Sequence, residues 1–281
     1  MRDLAGRVAV VTGAASGVGR GLACRFGAEQ MNVVIADVER AALDETARLV
    51  RAAAPAVDLL VQPTDVSDGE QVERLAAATY ERFGAAHVVC NNAGVFQGGL
   101  LWQRSDADWD WVLGVNLYGI IHGIRSFIPR MLDKAEDGHV VNTASMAGLV
   151  TSAYSGPYSV SKFAAVALSE SLAHDLRAAG ASIGVSVLCP SAVKTRIAES
   201  SRNRLTPVAT ETEAPDAHFV EQALRDLASG GLDPAVVAGM VVDAIRTEQF
   251  YVPTSTTYDE QVRSRFDDMV ARRLPRTVRY D

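Results

Sequence analysis

The sequence predicts an α/β protein built on a doubly wound parallel sheet. Short apolar runs alternate along the chain with segments of helical periodicity, as expected for repeated β-α-β units. A glycine-rich turn at residues 13–19 follows the first apolar run, and the acidic residue Asp37 ends the second. In open sheets of this kind, ligands bind beyond the carboxyl ends of the strands. The chain has 281 residues, 48% of them hydrophobic, so we expect one large core and a single domain over residues 1–281.

The first predicted strand, residues 7–12, is an apolar run that leads directly into Gly13. A helix is expected from Gly17 to about residue 28. Backbone amides at such a helix start point outward, and glycines without a Cβ let a pyrophosphate approach closely. The spacing departs from Gly-x-Gly-x-x-Gly, and no Lys-Ser/Thr pair follows Gly19, which excludes a Walker A loop.

The second predicted strand, residues 32–37, ends at Asp37. A carboxylate at this position can accept hydrogen bonds from the hydroxyls of an adenosine ribose, and it would repel a 2′-phosphate. The glycine turn carries no basic residue, so NAD is favoured over NADP, with Arg40 the only nearby counter-argument. The alternative interpretation of Asp37 is an N-cap of the following helix.

The middle of the chain continues the same alternation. Asp65 and Val66 come after the third strand, and Asn91 and Asn92 lie at the end of the fourth, where an Asx turn could tie neighbouring strands. The elements that we expect are a helix at 39–53, a strand at 56–62, a helix at 68–83 and a strand at 87–91.

A capping-box pattern predicts a long helix over residues 105–131. Asn116 lies in the middle of this helix, where asparagine is unfavourable, which predicts a local kink or a functional amide. Trp109 and Trp111 belong to the same segment, and we expect them in the core or in a subunit contact.

The stretch from residue 145 to residue 162 carries the clearest chemistry. Tyr158 and Lys162 are four residues apart in a run of helix formers, so both side chains emerge from one helical face. Free tyrosine titrates at about pH 10, and a neighbouring ammonium lowers the pKa of the phenol toward the range of a useful base. Ser145 follows an apolar strand at 139–144 and can bring a hydroxyl near that phenol. Together these groups could move a proton on a substrate oxygen.

The last third of the chain is expected to provide a lid and a tail. Residues 199–233 are rich in polar residues, Pro and Gly, which predicts a mobile lid over the site, with disorder without function as the alternative. Residues 254–281 form a C-terminal extension, with a solvated helix expected from residue 258. The other elements that we expect are a strand at 182–189, helices at 217–229 and 234–247, and a strand at 249–253.

Composition limits the classes of partner. A net charge of −7 argues against a surface for nucleic acid or an anionic membrane. The three cysteines form no CxxC pair and are expected as buried free thiols in a reducing compartment. The five histidines are scattered, so we expect no metal site. No apolar run reaches the about 18 residues of a membrane span, and the N-terminus has no signal-peptide pattern, so we expect a cytoplasmic protein.

The motifs occur in an order that resembles the short-chain dehydrogenase/reductase family over about residues 5–200. The resemblance rests on the glycine turn, on the Asn-Asn-Ala-Gly segment at 91–94, and on Asn116, Ser145, Tyr158 and Lys162. It implies that Tyr158 is the acid/base, that Lys162 lowers its pKa and holds the nicotinamide ribose, that Ser145 positions the substrate oxygen, and that Asn116 anchors a water in a proton relay.

The same resemblance implies a Rossmann-type oxidoreductase that forms a homo-dimer or homo-tetramer. Asp65 and Val66 would bracket the adenine ring, and Thr195 would contact the nicotinamide carboxamide. Ser191 stands where the family usually has a glycine after proline, which leaves the geometry of that turn open. The cofactor-binding residues implied are Gly13, Ser16, Gly17, Val18, Gly19, Asp37, Asp65, Val66, Asn92, Tyr158, Lys162, Pro190, Val193 and Thr195.

We therefore expect an NAD-dependent oxidoreductase that interconverts a secondary alcohol and a ketone, without a metal. The alternatives are an NADP-dependent carbonyl reductase and a dinucleotide-binding regulatory protein without turnover; the intact Ser/Tyr/Lys/Asn set argues against the latter. A lipophilic small molecule is the expected substrate, because the residues near the predicted pocket are largely apolar, namely Phe96, Leu100, Leu101, Trp102, Met146, Leu149 and Val150.

Overall fold

The computed structural model describes residues 1–204 and 214–276. Its strands are β1 (Val8–Thr12), β2 (Asn32–Asp37), β3 (Leu59–Pro63), β4 (Val88–Asn91), β5 (Gly138–Thr143), β6 (Ile183–Cys189) and β7 (Tyr251–Pro253). They form one sheet in the order β3-β2-β1-β4-β5-β6-β7, and every neighbouring pair is parallel. The predicted doubly wound parallel sheet is confirmed.

Helices connect the strands. They are α1 (Gly17–Ala28), α2 (Arg40–Ala53), α3 (Gly69–Phe83), α4 (Asp106–Leu113), α5 (Gly119–Lys134), α6 (Gly156–Ala178), α7 (Pro215–Ser229), α8 (Pro234–Thr247) and α9 (Asp259–Val270). Most boundaries agree with the sequence within one or two residues. The third strand begins three residues later than predicted, at Leu59, and the last begins two residues later, at Tyr251.

Side chains on the central strands alternate between two cores, one on each face of the sheet. On β1, Ala9 and Val11 belong to a core with α1, α2 and α8, whereas Val8 and Val10 belong to a core with α3, α5 and α6. Because both faces are covered, the strand is apolar at every position from Val8 to Val11 and shows no polar alternation.

The strand order reverses between β1 and β4. From β1 the chain winds outward through β2 to β3, and from β4 it winds the other way through β5 and β6 to β7. The loops after β1 and β4 therefore diverge and leave a crevice between them. The glycine turn and Asn92 both lie at this point.

The long helix predicted at 105–131 is present, but it is interrupted at Asn116. The capping box at Ser105 and Asp108 begins α4, a π-helical turn spans Gly114–Tyr118, and α5 continues to Lys134, beyond the predicted end. The amide of Asn116 bonds to the backbone of Val95, outside the helix. Single π-turns inside α-helices are frequently found at functional sites. The predicted irregularity at Asn116 is confirmed.

The C-terminal extension is less solvated than the sequence suggested. Tyr258 is buried ahead of α9, and Asp268 is buried within it. Asp268 forms ion pairs of 3.0 Å with Arg273 and with Arg276. The prediction of a solvated helix is therefore wrong at Asp268 of α9. Arg273 and Arg276, which follow the helix, bind and cover the Asp268 carboxylate. Residues 277–281 of the predicted tail lie outside the described residues.

The three cysteines are free thiols, as predicted. Cys90 and Cys189 are buried, and Cys24 is half-buried. Burial raises the pKa of Cys189 to about 12. A thiol with such a pKa stays protonated and is a poor nucleophile.

Candidate active site

A cavity of about 880 Å³ opens at the carboxyl ends of the central strands, where the strand order reverses. Asn116 is fully buried beneath it, and every other residue predicted for the site lines it. The predicted residues on its wall are Gly13, Ser16, Gly17, Val18, Gly19, Asp37, Asp65, Val66, Asn92, Ser145, Tyr158, Lys162, Pro190, Val193 and Thr195. Segments far apart in sequence thus meet in one space.

The glycine turn has the geometry of a phosphate cradle. Gly17 has a φ of +52°, and a Cβ there would lie 2.8 Å from Cγ2 of Thr195. A Cβ on Gly19 would lie 2.1 Å from the carbonyl oxygen of Gly13, so only glycine fits. Ser16, the N-cap residue of α1, is extended. Because the cavity reaches the first turn of α1, an anion there can meet its backbone amides and the positive end of the helix dipole.

Asp37 is held in place at the end of β2. Its Oδ2 accepts a hydrogen bond of 2.9 Å from the amide of Ala15, and its Oδ1 accepts one of 3.0 Å from the amide of Glu39. The N-cap residue of α2 is Glu39, so the alternative interpretation of Asp37 as that N-cap is wrong. The carboxylate therefore faces the cavity in a fixed orientation, with lone pairs to spare for a ribose hydroxyl.

Asn92 joins three strand ends. Its Nδ2 donates to the carbonyl of Thr12 at 3.0 Å, and its Oδ1 accepts from the hydroxyl of Thr143 at 3.2 Å. Asn91 is buried and donates from Nδ2 to Oδ1 of Asn142 at 2.8 Å. The two asparagines together fix the ends of β1, β4 and β5 relative to one another.

The loop after β6 is ordered despite the serine at its turn. The amide of Ser191 donates to the hydroxyl of Thr254 at 2.9 Å, and the Ser191 hydroxyl lies 3.1 Å from the same oxygen. The carbonyl of Pro190 accepts from the amide of Met146 at 2.9 Å. This loop thus presents Val193 and Thr195 to the cavity without the usual glycine.

Tyr158, Lys162 and Ser145 share one wall of the cavity. Nζ of Lys162 lies 5.6 Å from the centre of the Tyr158 ring, and the Phe96 ring packs against the same phenol at 5.0 Å. Oγ of Ser145 accepts a hydrogen bond of 3.1 Å from the amide of Ala147, which opens a short 3₁₀ turn after β5. The arrangement brings a phenol, an ammonium and a hydroxyl to one space, which is the requirement for proton transfer.

Lys162 is almost fully buried and donates from Nζ to the carbonyl of Thr143 at 3.0 Å. Burial lowers the pKa of Lys162 to about 8. The ammonium form still predominates near neutral pH, so a positive charge remains beside the phenol. Its hydrogen bond to the end of β5 keeps that charge in one position.

Asn116 is bound mainly by the backbone of the loop after β4. Its Oδ1 accepts from the amide of Val95 at 2.8 Å, and its Nδ2 donates to the Val95 carbonyl at 2.9 Å and to the Ser161 hydroxyl at 3.0 Å. A Cβ on Gly94 would lie 3.4 Å from both Oδ1 of Asn116 and Nζ of Lys162. These two polar heads therefore face one small space, where a water could bridge them.

The apolar residues that line the cavity differ from the apolar residues predicted to lie near the pocket. Phe96 and Met146 line the cavity, whereas Leu101 and Trp102 are exposed and Val150 lies in the core behind it. Leu100 and Leu149, also predicted, are not among the lining residues. The apolar wall comes instead from α7 and from α4, through Trp111, Phe219, Val220, Ala223, Leu224 and Leu227.

Trp111 is half-buried and lines the cavity, so its prediction as a core residue is wrong, whereas a subunit contact stays a prediction. The signal for α7 was present in the sequence, since its apolar residues recur with helical spacing inside the predicted lid. Which cavity that face would cover could not be read from spacing alone.

Residues 196–204 and α7, which we call the cover, are attached to the body by ion pairs. Asp216 pairs with Arg104 at 3.1 Å and accepts from the amide of Leu100 at 2.6 Å, and both charged side chains are nearly buried. Arg204 pairs with Asp108 at 2.6 Å. Burial alone would raise the pKa of Asp108, but hydrogen bonds from Arg204 and Ser105 lower it. Residues 205–213 of the predicted lid lie outside the described residues.

Sequence reasoning missed a third attachment, at the end of the cavity near Asp37. Glu39, Arg196, Arg202 and Asn203 line the cavity there. Arg202 forms an ion pair of 2.5 Å with Glu39. The two partners are 163 positions apart in the sequence, which explains why no local pattern indicated this contact.

Within residues 1–204 and 214–276, no group of three or more His, Cys, Asp or Glu side chains could hold a metal ion. No helix in the same part of the chain is long and apolar enough to cross a membrane. Around the glycine turn, the cavity offers the backbone amides of the first turn of α1 and the carboxylate of Asp37, and this set fits a dinucleotide.

Comparisons with known proteins agree with this geometry. Residues 7–206 match the short chain dehydrogenase family. The 1-deoxy-11-beta-hydroxypentalenate dehydrogenase of Streptomyces exfoliatus is 36% identical over 265 residues, which cover 94% of this chain and 88% of that protein. The C alpha-dehydrogenase of Sphingobium sp. (strain NBRC 103272 / SYK-6) is 33% identical over 253 residues, covering 90% and 81%.

A solved structure extends the similarity over the whole chain. The crystal structure of a short chain dehydrogenase/reductase from Burkholderia phymatum in complex with NAD has a TM-score of 0.96 and 41% sequence identity. The similarity covers 100% of both chains.

Proposed function

Because the chain belongs to the short-chain dehydrogenase/reductase family, we propose that it interconverts a secondary alcohol and a ketone with NAD, using Tyr158 as the acid/base. The family and its NAD(P)-dependent action on CH–OH donors are the premise of this proposal. The observation that carries it is the convergence of Tyr158, Lys162 and Ser145 on the cavity that also holds the glycine turn and Asp37.

In the oxidation direction, Oη of Tyr158 as phenolate accepts the proton of the substrate hydroxyl. Oγ of Ser145 holds the substrate oxygen beside it, and the Lys162 ammonium stabilises the charge on the phenol. A nicotinamide bound in the cavity would accept the hydride that leaves the substrate carbon, so the alcohol loses one proton to Tyr158 and one hydride to the coenzyme. The proton then passes toward the space between Lys162 and Asn116, where a bridging water would carry it onward.

Asn116 acts in this proposal as a positioning residue. Its Oδ1 accepts from the amide of Val95 and its Nδ2 donates to the Val95 carbonyl, which holds the loop that forms one side of the relay. Gly94, on the same loop, leaves the space for water.

NAD is the proposed coenzyme because Asp37 is fixed by two backbone amides and faces the cavity. A carboxylate there can accept from ribose hydroxyls and repels a 2′-phosphate. The Burkholderia phymatum protein was solved with NAD, which supports the same choice. An NADP-dependent carbonyl reductase is the second candidate, favoured by Arg196 and Arg202 at the same end of the cavity.

A lipophilic substrate is proposed from the apolar wall made by Trp111, Phe219 and Leu224. Such walls contribute affinity in proportion to the apolar area that they remove from water. The name of the Streptomyces exfoliatus relative specifies a hydroxylated substrate, which supports action on an alcohol. A homo-dimer or homo-tetramer in the cytoplasm stays a prediction from the sequence.

The test is an absorbance assay of reduced nicotinamide formation with NAD and NADP against alicyclic, steroid and aliphatic secondary alcohols. We expect turnover with NAD on a bulky apolar alcohol. A wild-type preference for NADP of about tenfold or more, or about 1.4 kcal/mol, would favour the carbonyl reductase instead. Binding of NADH without turnover of any alcohol or ketone would favour the regulatory alternative.

A further inference from the structure

Glu39 lies at the centre of a charged cluster that joins β2–α2 to the cover. Its Oε1 accepts hydrogen bonds from Arg202 Nη2 at 2.5 Å, Arg202 Nε at 3.1 Å and Asn203 Nδ2 at 3.0 Å. Nη1 of Arg196 lies 4.0 Å from Oε2 of the same carboxylate. Two guanidinium groups from the cover thus converge on one carboxylate from the body.

This cluster lies at the adenosine end of the cavity. Glu39, Arg196, Arg202 and Asn203 all line the cavity, together with Asp37. The amide of Glu39 donates to Oδ1 of Asp37 at 3.0 Å, so the two carboxylates extend from neighbouring points of one turn. If Asp37 holds the ribose hydroxyls, then the groups nearest to a phosphate on the 2′-oxygen, besides Asp37 itself, would be Glu39 and the two arginines.

The arginines are occupied as the chain stands. Arg202 donates to Glu39 and to the carbonyls of Arg196 and Glu199, and Arg196 donates to Glu199 at 2.9 Å. Hydrogen bonding by Arg202 lowers the pKa of Glu39, against the opposing effect of partial burial. Glu39 therefore stays ionised near neutral pH and keeps its partners engaged.

We propose that Glu39 is a specificity-determining residue for the coenzyme. Its carboxylate binds two arginines that would otherwise bind a 2′-phosphate, and its own charge repels that phosphate. This inference rests on the proposed use of NAD and adds a second determinant to Asp37. Without Glu39, the same segment would present a basic site of the kind that accepts NADP.

The deciding variant is Glu39→Gln, which keeps the shape and an oxygen acceptor for Arg202 while removing the charge. Dissociation constants for NADH and NADPH are measured by nucleotide fluorescence on the full-length enzyme. We expect the ratio Kd(NADPH)/Kd(NADH) to fall by about tenfold or more, because charge-assisted hydrogen bonds replace a repulsion between like charges. Asp37 remains in this variant, so NADH should still bind more tightly than NADPH.

Two further variants test whether the effect is specific to Glu39 and whether it depends on Arg202. Glu45→Gln removes one charge from an exposed ion pair on α2, the helix that begins directly after Glu39, and it should leave the ratio unchanged. Arg202→Gln in the Glu39→Gln background should reverse the gain in NADPH binding. A gain that survives in this double variant would contradict the proposed role of Arg202.

The outcomes distinguish this inference from the proposed function. If wild-type enzyme binds NADH more tightly and Glu39→Gln changes both dissociation constants equally, Glu39 only fastens the cover, and the inference is wrong while the use of NAD stands. If wild-type enzyme binds NADPH more tightly, the coenzyme assignment and the inference both fail.

Discussion

The two sides of the cavity are held in place by different interactions. On the proposed catalytic side, Lys162 is anchored to the carbonyl of Thr143 and Asn116 to the backbone of Val95, through hydrogen bonds in a buried setting. The cover is attached by ion pairs to distant parts of the chain, such as Arg104 with Asp216. Backbone atoms at the ends of packed strands have little freedom, whereas a pair of side chains can separate without disturbing the sheet.

This difference predicts different kinetic consequences for substitutions on the two sides. On the catalytic side they should lower kcat while the fold survives, because the reacting groups change and the frame does not. Substitutions on the cover should raise KM for the substrate and weaken local stability, because they loosen the attachment of the apolar wall over the substrate. The predictions below test this division, beginning with the largest expected effect.

Lys162→Ala should have the largest effect on kcat/KM. It removes the charge beside the phenol and also the proposed contact to the nicotinamide ribose, so kcat should fall and the KM for NAD should rise, together by more than about 10³-fold. The measurement is steady-state kinetics with varied NAD. Lys194→Ala, which removes an exposed lysine after β6, serves as the control and should leave both constants nearly unchanged. Unchanged NAD KM in Lys162→Ala would remove the proposed ribose contact.

Tyr158→Phe should lower kcat by about 10²-fold or more, the scale of a general acid/base contribution. Only a hydroxyl is lost, so folding and NADH affinity should be preserved, as measured by circular dichroism and nucleotide fluorescence. Tyr154→Phe is the matched control, since Tyr154 also lines the cavity. If Tyr158→Phe keeps more than about a tenth of wild-type kcat in a chemistry-limited assay, another group carries the proton.

Asp216→Asn should act on the cover. It leaves the nearly buried Arg104 guanidinium without its counter-charge, so we expect a loss of about 2 kcal/mol in the free energy of unfolding and a higher substrate KM, with kcat little changed. Urea unfolding and steady-state kinetics measure the two effects. Asp226→Asn, at an exposed position on the same helix, is the control. A fall in kcat at unchanged KM would contradict the division between the two sides.

The cover should also become more protected when it closes over ligands. Amide hydrogen exchange in residues 197–203 and in α7 should slow by about tenfold when NADH and substrate are both present, because attached segments open less often. Exchange in β5 should stay unchanged and serves as the internal reference. Equal rates in the apo and ternary states would mean that the cover is not a lid.

The smallest effect concerns the pH dependence of stability. Lys162 has its pKa lowered to about 8 by burial, so between pH 8 and the pKa of an unfolded lysine, at about 10.4, the unfolded state binds more protons. The cost of burying the ammonium is present below pH 8 and is relieved as the pH rises. Urea unfolding of the apo enzyme at pH 7 and 9 should therefore show wild-type stability rising relative to Lys162→Met by about 1 kcal/mol.

Lys134→Met, which removes an exposed lysine from α5, is the control for this measurement and should show no such relative change. A stability difference between wild type and Lys162→Met that is the same at both pH values would mean that the buried amine does not titrate in this range.

Part of the candidate site was missed because its signals are not local. Trp111 looks like a core residue in sequence, since an aromatic residue at helical spacing is usually buried, yet Trp111 lines the cavity. Leu101 and Trp102 look like pocket residues by their distance along the chain from Asn92, yet both are exposed. Position along the chain does not determine which way a loop turns.

The sequence by itself determined the features that depend on neighbours a few residues away. These are the alternation of strands and helices, the glycine turn, the interruption at Asn116 and the shared helical face of Tyr158 and Lys162. Only the tertiary structure decided how the cover is attached, through pairs such as Arg202 with Glu39, and which apolar residues line the cavity. The physical reason is that backbone propensity and periodicity act within a few residues, whereas ion pairs and cavity walls arise from packing between elements far apart in the chain, such as the hydrogen-bonded partners that are 116 and 163 positions apart.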